Sequence, residues 1–166
     1  VNINYRYRDQ ELVYLLENSD AEALVFHSSL ADRVGRVAAD IGALKLLVQV
    51  ADDDSPLVPG AVAYEELVAA HDPMPRISRD PGDIFLLFTG GTTGMPKGVM
   101  FLLGSWTASF AAAALTQLGL DPTTPLDELP AVAAKLPDEE RIVTVPCAPL
   151  MHGTGLTLGA LVAQTV

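Results

Sequence analysis

The chain has a single cysteine, Cys147, among 166 residues. One thiol cannot close an intramolecular disulfide, so the core must hold the fold, and a reducing cytoplasm is the expected compartment. Basic residues are also scarce. Ten Lys and Arg stand against 21 Asp and Glu, a formal net charge of −11. No basic patch is available to displace counterions from a nucleic acid, and none to dock on an anionic membrane. No signal peptide is expected within residues 1–166, because Arg6, Arg8, Asp9 and Glu11 crowd their start. Residues 99–120 are uncharged and about long enough to span a bilayer. Gly104, Ser105, Thr107, Ser109, Thr116 and Gln117 interrupt them and no basic belt flanks them, so a strand and a helix are expected in place of a transmembrane segment. There is no internal repeat and no low-complexity tract.

What is present suffices for a folded domain, since 49% of the residues are apolar. The chain starts at Val1 and stops at Val166 inside an apolar run, so a piece of a longer protein is expected. Asp9 is the expected N-cap of a helix running to Asn18, with Leu12, Leu15 and Leu16 on one face. Residues 23–26 read as a short buried strand. Ser28 or Ser29 caps a second helix with a stripe of Leu30, Val34, Val37 and Ile41, and Gly42 stops it. Residues 46–50 form the next strand. Strand, helix, strand in this order predicts an α/β fold, a layered and mostly parallel sheet with flanking helices.

Asp52, Asp53 and Asp54 mark a solvated acidic turn with no metal-ligand pattern after it. A short helix is expected over residues 64–70, then a proline-rich connection over 72–83, and a buried strand over 84–88. Beyond that come a strand over 99–103, a helix over 106–118, one or two helical turns around 128–135, a strand over 141–145 and a helix from 156 onward. His27 and His71 have no supporting pattern and read as structural. Cys147 reads as a small buried hydrophobe, although a Cys147–His152 catalytic pair is conceivable. Trp106 either lines a pocket or fills core.

One stretch does not read as packing. Between residues 84 and 120 the only charged side chain is Lys97. It sits in Thr89-Gly90-Gly91-Thr92-Thr93-Gly94-Met95-Pro96-Lys97-Gly98-Val99, with four glycines and three threonines. Closely spaced backbone N–H groups, hydroxyls and one ammonium make a cradle for polyphosphate oxygens. A Walker A loop needs Gly before the Lys and Ser or Thr after it. Here Pro96 precedes Lys97 and Gly98 follows. Pro96 biases Met95 away from helical angles, so the loop is expected to feed a strand and not a phosphate-binding helix. The spacing also fails the G-x-G-x-x-G dinucleotide fingerprint.

This stretch resembles the phosphate-binding signature of the adenylate-forming enzymes, which include acyl-CoA synthetases, luciferases and peptide-synthetase adenylation domains. Gly90 stands where the family pattern usually has Ser, a form similar to a fatty-acyl-CoA synthetase variant. Two further stretches agree. Asn4-Tyr5-Arg6 with Glu11-Leu12 and Ser19 is similar to the family's "NYR…EL…L…S" segment. Pro149-Leu150-Met151-His152-Gly153-Thr154-Gly155 is similar to its "P-L-x-H-x-x-G" motif.

The resemblance implies ATP-dependent conversion of a carboxylic acid to an acyl-adenylate, with transfer to coenzyme A. It implies that Thr89, Gly90, Gly91, Thr92, Thr93 and Gly94 wrap the β- and γ-phosphates, with Lys97 adding a point charge. It places Thr92 and Thr93 near Mg²⁺ and makes Gly94 and Gly98 hinges. His152 stands beside the acyl pocket, so Lys97 and His152 are the expected catalytic residues. The family's adenine- and ribose-binding segments, its hinge and its distal lysine do not occur in this sequence. Residues 1–166 are therefore expected to be one partial domain, the central part of an N-terminal AMP-binding domain without the C-terminal domain. Alone it is expected to bind ATP weakly and not to turn over. The alternatives are a non-catalytic nucleotide-binding module and an adenylating enzyme with another acid or acceptor. Homo-oligomer formation is left open.

Overall fold

The structure, a computed structural model, describes residues 1–75, 77–89, 94–117, 119–125, 127–137, 139, 148–149, 152–153 and 155. The expected strand over 141–145, the expected helix from 156 and Cys147 lie outside the described residues. The chain forms two compact units, one of Tyr5–Ser78 and Gly90–Gly98, the other of Val1–Asn4, Arg79–Thr89 and Val99–Val166.

The first unit is built on a three-stranded parallel sheet. Helix α1 (Asp9–Asn18) leads to β1 (Ala23–His27), then α2 (Ala31–Val37), β2 (Leu46–Val50), β3 (Ala61–Ala63) and α3 (Tyr64–Ala69). The strands lie in the order β1-β2-β3, with Val25 opposite Val48 and Val48 opposite Val62. Parallel neighbours need crossovers, and α2 supplies the one between β1 and β2. Leu12, Leu15 and Leu16 of α1 are buried as their spacing predicts, as are Val34 and Val37 of α2. Leu24 and Phe26 of β1 are buried, whereas Val25 between them is 61% exposed. The expected fully buried strand is therefore a half-buried one, with one face of β1 on the core.

Three local expectations change. Arg8, not Asp9, is the N-cap of α1, and the Glu11 carboxylate accepts from the Arg8 N–H at 2.8 Å. Asp9 opens the helix instead and pairs with Arg36, whose Nε donates to it at 2.8 Å. Helix α2 stops at Val37 and continues as a 3₁₀ turn, Ala38–Asp40. Ile41 is thus buried from an extended backbone and not from a helical stripe. Strand β3 has only three residues, too short for a periodic signal. The connection into it is organised by Gln49, 1% exposed, whose Nε2 donates to the Pro56 carbonyl and whose Oε1 accepts from the Val58 N–H, both at 3.0 Å.

Strand β4 (Ile84–Thr89) lies in the second unit and forms a two-stranded sheet with β5 (Lys97–Leu102), whose first two residues count with the first unit; α4 (Leu103–Gln117) follows β5 without a break, and α5 (Leu129–Ala133) comes later. Only residues 90–96 separate the strands, too few for a parallel crossover. Strand β4 is half-buried and not buried, with Ile84 59% exposed. Ala111 and Leu115 of α4 pack with Leu129 of α5 and with Leu120. Gly119, at φ +69°, ends α4 in the left-handed conformation, and Leu120 N–H donates to the Leu115 carbonyl at 2.9 Å. Among the described residues, no helix is long and apolar enough to cross a membrane.

Candidate functional site

The apolar run of β4 delivers the chain to Thr89, which is exposed at the strand's end. Residues Gly90, Gly91, Thr92 and Thr93 lie outside the described residues. Description resumes at Gly94, an exposed bend where an added side chain would meet nothing within 4 Å. Among the described residues, no packing contact accounts for a glycine there. Lys97 is the first residue of β5 and is exposed. A strand thus follows the lysine, as Pro96 predicts, so the lysine does not open a helix as a Walker lysine does.

The second candidate stretch is held close to β4. His152 is exposed at a bend, and its backbone N–H donates to the Pro149 carbonyl at 2.9 Å. A Cβ on Gly153 would stand 2.5 Å from Leu87 Cδ2. A Cβ on Gly155 would overlap the carbonyl oxygens of Ala148 and Pro149. The glycines after His152 are therefore needed for close approach, one to β4 and one to the turn's own backbone. Leu87 lies two positions before Thr89, so the histidine's turn sits on the strand that carries the loop. Sequence reasoning singled out His152 but not this seat, because the spacing gives no sign of Leu87.

The other histidines are engaged in turn and cap contacts. His27 Nδ1 lies 2.9 Å from Ser29 Oγ and its Nε2 lies 3.1 Å from Asp52 Oδ2. His71 Nδ1 donates to the Leu67 carbonyl at 2.8 Å, closing the end of α3. The carboxylates with displaced pKa values belong to turns and surface pairs. Asp53 is held below its usual range by the Ser55 hydroxyl and N–H, and Asp121 by those of Thr123. Among the described residues, no group of three or more His, Cys, Asp or Glu is arranged to hold a metal. A cleft of about 280 Å³ near the start of β2, lined by Gly35, Leu44, Lys45, Val58 and Gly60 among others, contains none of the candidate residues.

The position of the loop between two strands can be set against known proteins. The family described as AMP-binding enzyme matches residues 1–165. The chain belongs to the AMP-binding enzyme family. Within it, the chain is 37% identical over 155 residues to the medium-chain acyl-CoA ligase Mig of Mycobacterium avium, covering 92% of this chain and 27% of that protein. It is 35% identical over 158 residues to a medium/long-chain-fatty-acid–CoA/3-oxocholest-4-en-26-oate–CoA ligase of Mycolicibacterium smegmatis, covering 92% and 28%. The chain therefore spans little more than a quarter of the length of these relatives. Its fold is similar to the acyl-CoA synthetase of Brucella canis, at TM-score 0.63 and 19% identity, over 95% of this chain and 26% of that one. It is also similar to the anthranilate CoA ligase AuaEII in complex with anthranoyl-AMP, at TM-score 0.60 and 19% identity, over 69% and 22%.

Proposed function

We propose that this chain is the central part of the N-terminal AMP-binding domain of an ATP-dependent acid–thiol ligase. In the first half-reaction a carboxylate oxygen attacks the α-phosphorus of ATP, forming the acyl-adenylate and releasing pyrophosphate. In the second, a thiol, coenzyme A, attacks the acyl carbon and AMP leaves. The observation that carries this reading is Lys97, the one charged residue between 84 and 120, at the end of a glycine- and threonine-rich loop strung between two strands. The first half-reaction sets two anions against each other, so charge neutralisation and positioning dominate its barrier.

Thr89, Gly90, Gly91, Thr92, Thr93 and Gly94 bind the β- and γ-phosphates through N–H and hydroxyl groups, and Lys97 supplies the fixed positive charge. Thr92 and Thr93 would hold Mg²⁺, which would supply further neutralisation of phosphate charge. His152 stands beside the reacting carboxylate. The acid is a medium- or long-chain fatty acid or a related lipophilic acid, by likeness to the named relatives. The protein works in the cytoplasm.

The test is pyrophosphate exchange by the full-length protein over a panel of carboxylic acids of graded chain length. Acid-dependent exchange that is greatest with lipophilic acids is the expected result. ATP binding with no exchange for any acid identifies a non-catalytic nucleotide-binding module instead.

A further inference from the structure

The strands of the parallel sheet carry no charged side chain. Strand β1 reads Ala-Leu-Val-Phe-His, β2 Leu-Leu-Val-Gln-Val and β3 Ala-Val-Ala. The register decides which residues share a face. Val25 lies opposite Val48 and Val48 opposite Val62, while Ala23 lies opposite Leu46. Paired residues point the same way, and residues two apart along a strand return to the same face. Val25, Leu46, Val48 and Val62 therefore share one face, and Leu24, Phe26 and Gln49 the other.

The two faces are unequally covered. Leu24, Phe26 and Gln49 are all buried. On the opposite face Val48 is buried, but around it Val25 is 61%, Leu46 40% and Val62 36% exposed. A sheet with one face in water alternates apolar and polar residues, and these strands do not alternate. Purely parallel sheets occur almost only where helices cover both faces. The outer edge of β1 points the same way. Among the described residues β1 is the last strand of its sheet, yet it carries no Lys, Pro or other charge of the kind that guards a natural edge.

We infer that this face is the seat of a helix of the same polypeptide from outside residues 1–166, whose apolar side lies across Val25, Leu46 and Val62. The inference rests on one part of the reading above, that this chain belongs to a longer protein. The relatives show how much polypeptide that leaves, since the chain covers 27% of the Mycobacterium avium ligase. A second copy of this chain fits the face less well. Three aliphatic side chains fall well short of the about 800 Å² per partner that a standard interface buries. Each copy would also bring a formal charge of −11. A helix of the same polypeptide loses no translational freedom on docking, so a small, charge-free face suffices for it.

The experiment places a diazirine-bearing amino acid at position 25 of the full-length protein by stop-codon suppression. After irradiation, the cross-linked peptides are identified by mass spectrometry. The expected product is an internal cross-link, at monomer mass, to a peptide outside residues 1–166. A cross-linked dimer overturns the inference in favour of a second copy. Reaction with solvent alone, or only with residues 1–166, overturns it as well. In parallel, Val25→Asp should lower the melting midpoint by about 5 °C or more if the face is covered, because a charge is then buried. A midpoint within about 1 °C of wild type shows an open face and overturns the inference. If Val25→Asp does not fold, the cross-link decides alone. Pyrophosphate exchange is measured on the same preparation. With exchange present, a failed cross-link strikes the covered face and leaves the ligase reading standing. A natural protein whose mass leaves no polypeptide beyond these residues overturns the longer-protein reading, and the covering helix with it.

Discussion

Gly153 packs so closely on Leu87 that a methyl group in its place would reach 2.5 Å from Leu87 Cδ2. The residue after His152 therefore rests on β4 two positions before Thr89. Two stretches that the sequence marks separately, about sixty residues apart, are brought to one strand by a close approach for which Gly153 leaves room.

Two substitutions separate the glycines of that turn. At Gly153 the obstacle is the end of a flexible leucine, which can rotate. At Gly155 it is the backbone of Ala148 and Pro149, which cannot yield without moving the turn. Gly153→Ala should cost about 1 kcal/mol, and Gly155→Ala about 2–3 kcal/mol. Urea unfolding of each variant checks the order, and equal costs would contradict the packing described.

Lys97→Ala in the full-length protein should lower the rate of pyrophosphate exchange by about 100-fold, because the fixed charge opposite the phosphates is lost. Lys97→Arg keeps the charge but not the shape of an ammonium, and should recover only part of the activity. Unchanged exchange in Lys97→Ala would remove the lysine from the site.

Gln49→Leu should destabilise the fold although the new side chain is apolar and of similar size. It strands the Pro56 carbonyl and the Val58 N–H, each now satisfied at 3.0 Å. Only the Val58 N–H is buried, so its loss costs about 1–3 kcal/mol, while the Pro56 carbonyl, on an exposed residue, can turn to water. An unfolding midpoint indistinguishable from wild type would show that water reaches both groups.

Asp9 links stability to acid pH. The hydrogen bonds from Arg36 hold its carboxyl below the ordinary 3.8. A carboxyl depressed in the folded state contributes stability that is present above the unfolded pKa and is lost as pH falls through the folded one. The pair is exposed, so the effect is small. Asp9→Asn should lower the unfolding midpoint near neutral pH, with the gap to wild type closing between about pH 5 and pH 2. A gap that stays constant across this range would assign the loss to packing.

The sequence by itself determined the local grammar of the chain. The stripe of Leu12, Leu15 and Leu16, the strand at 46–50 and the strand-to-strand setting of the glycine loop were all legible. Helical periodicity, β-branched runs and the restraint of Pro96 act over a few residues and appear in their order. The isolation of Lys97 in an uncharged stretch was legible for the same reason.

Tertiary structure alone decided what depends on residues distant in the chain. It left Val25 exposed between two buried neighbours, with one face of β1 on the core. It buried Gln49, a polar residue whose partners belong to the loop it supports. It added β3, whose three residues are a strand only because β2 lies beside them. It seated the His152 turn on Leu87 and set Trp106 between Phe85 and Phe101. Burial and close approach are properties of pairs of segments, and no periodicity within one segment encodes the partner it will meet.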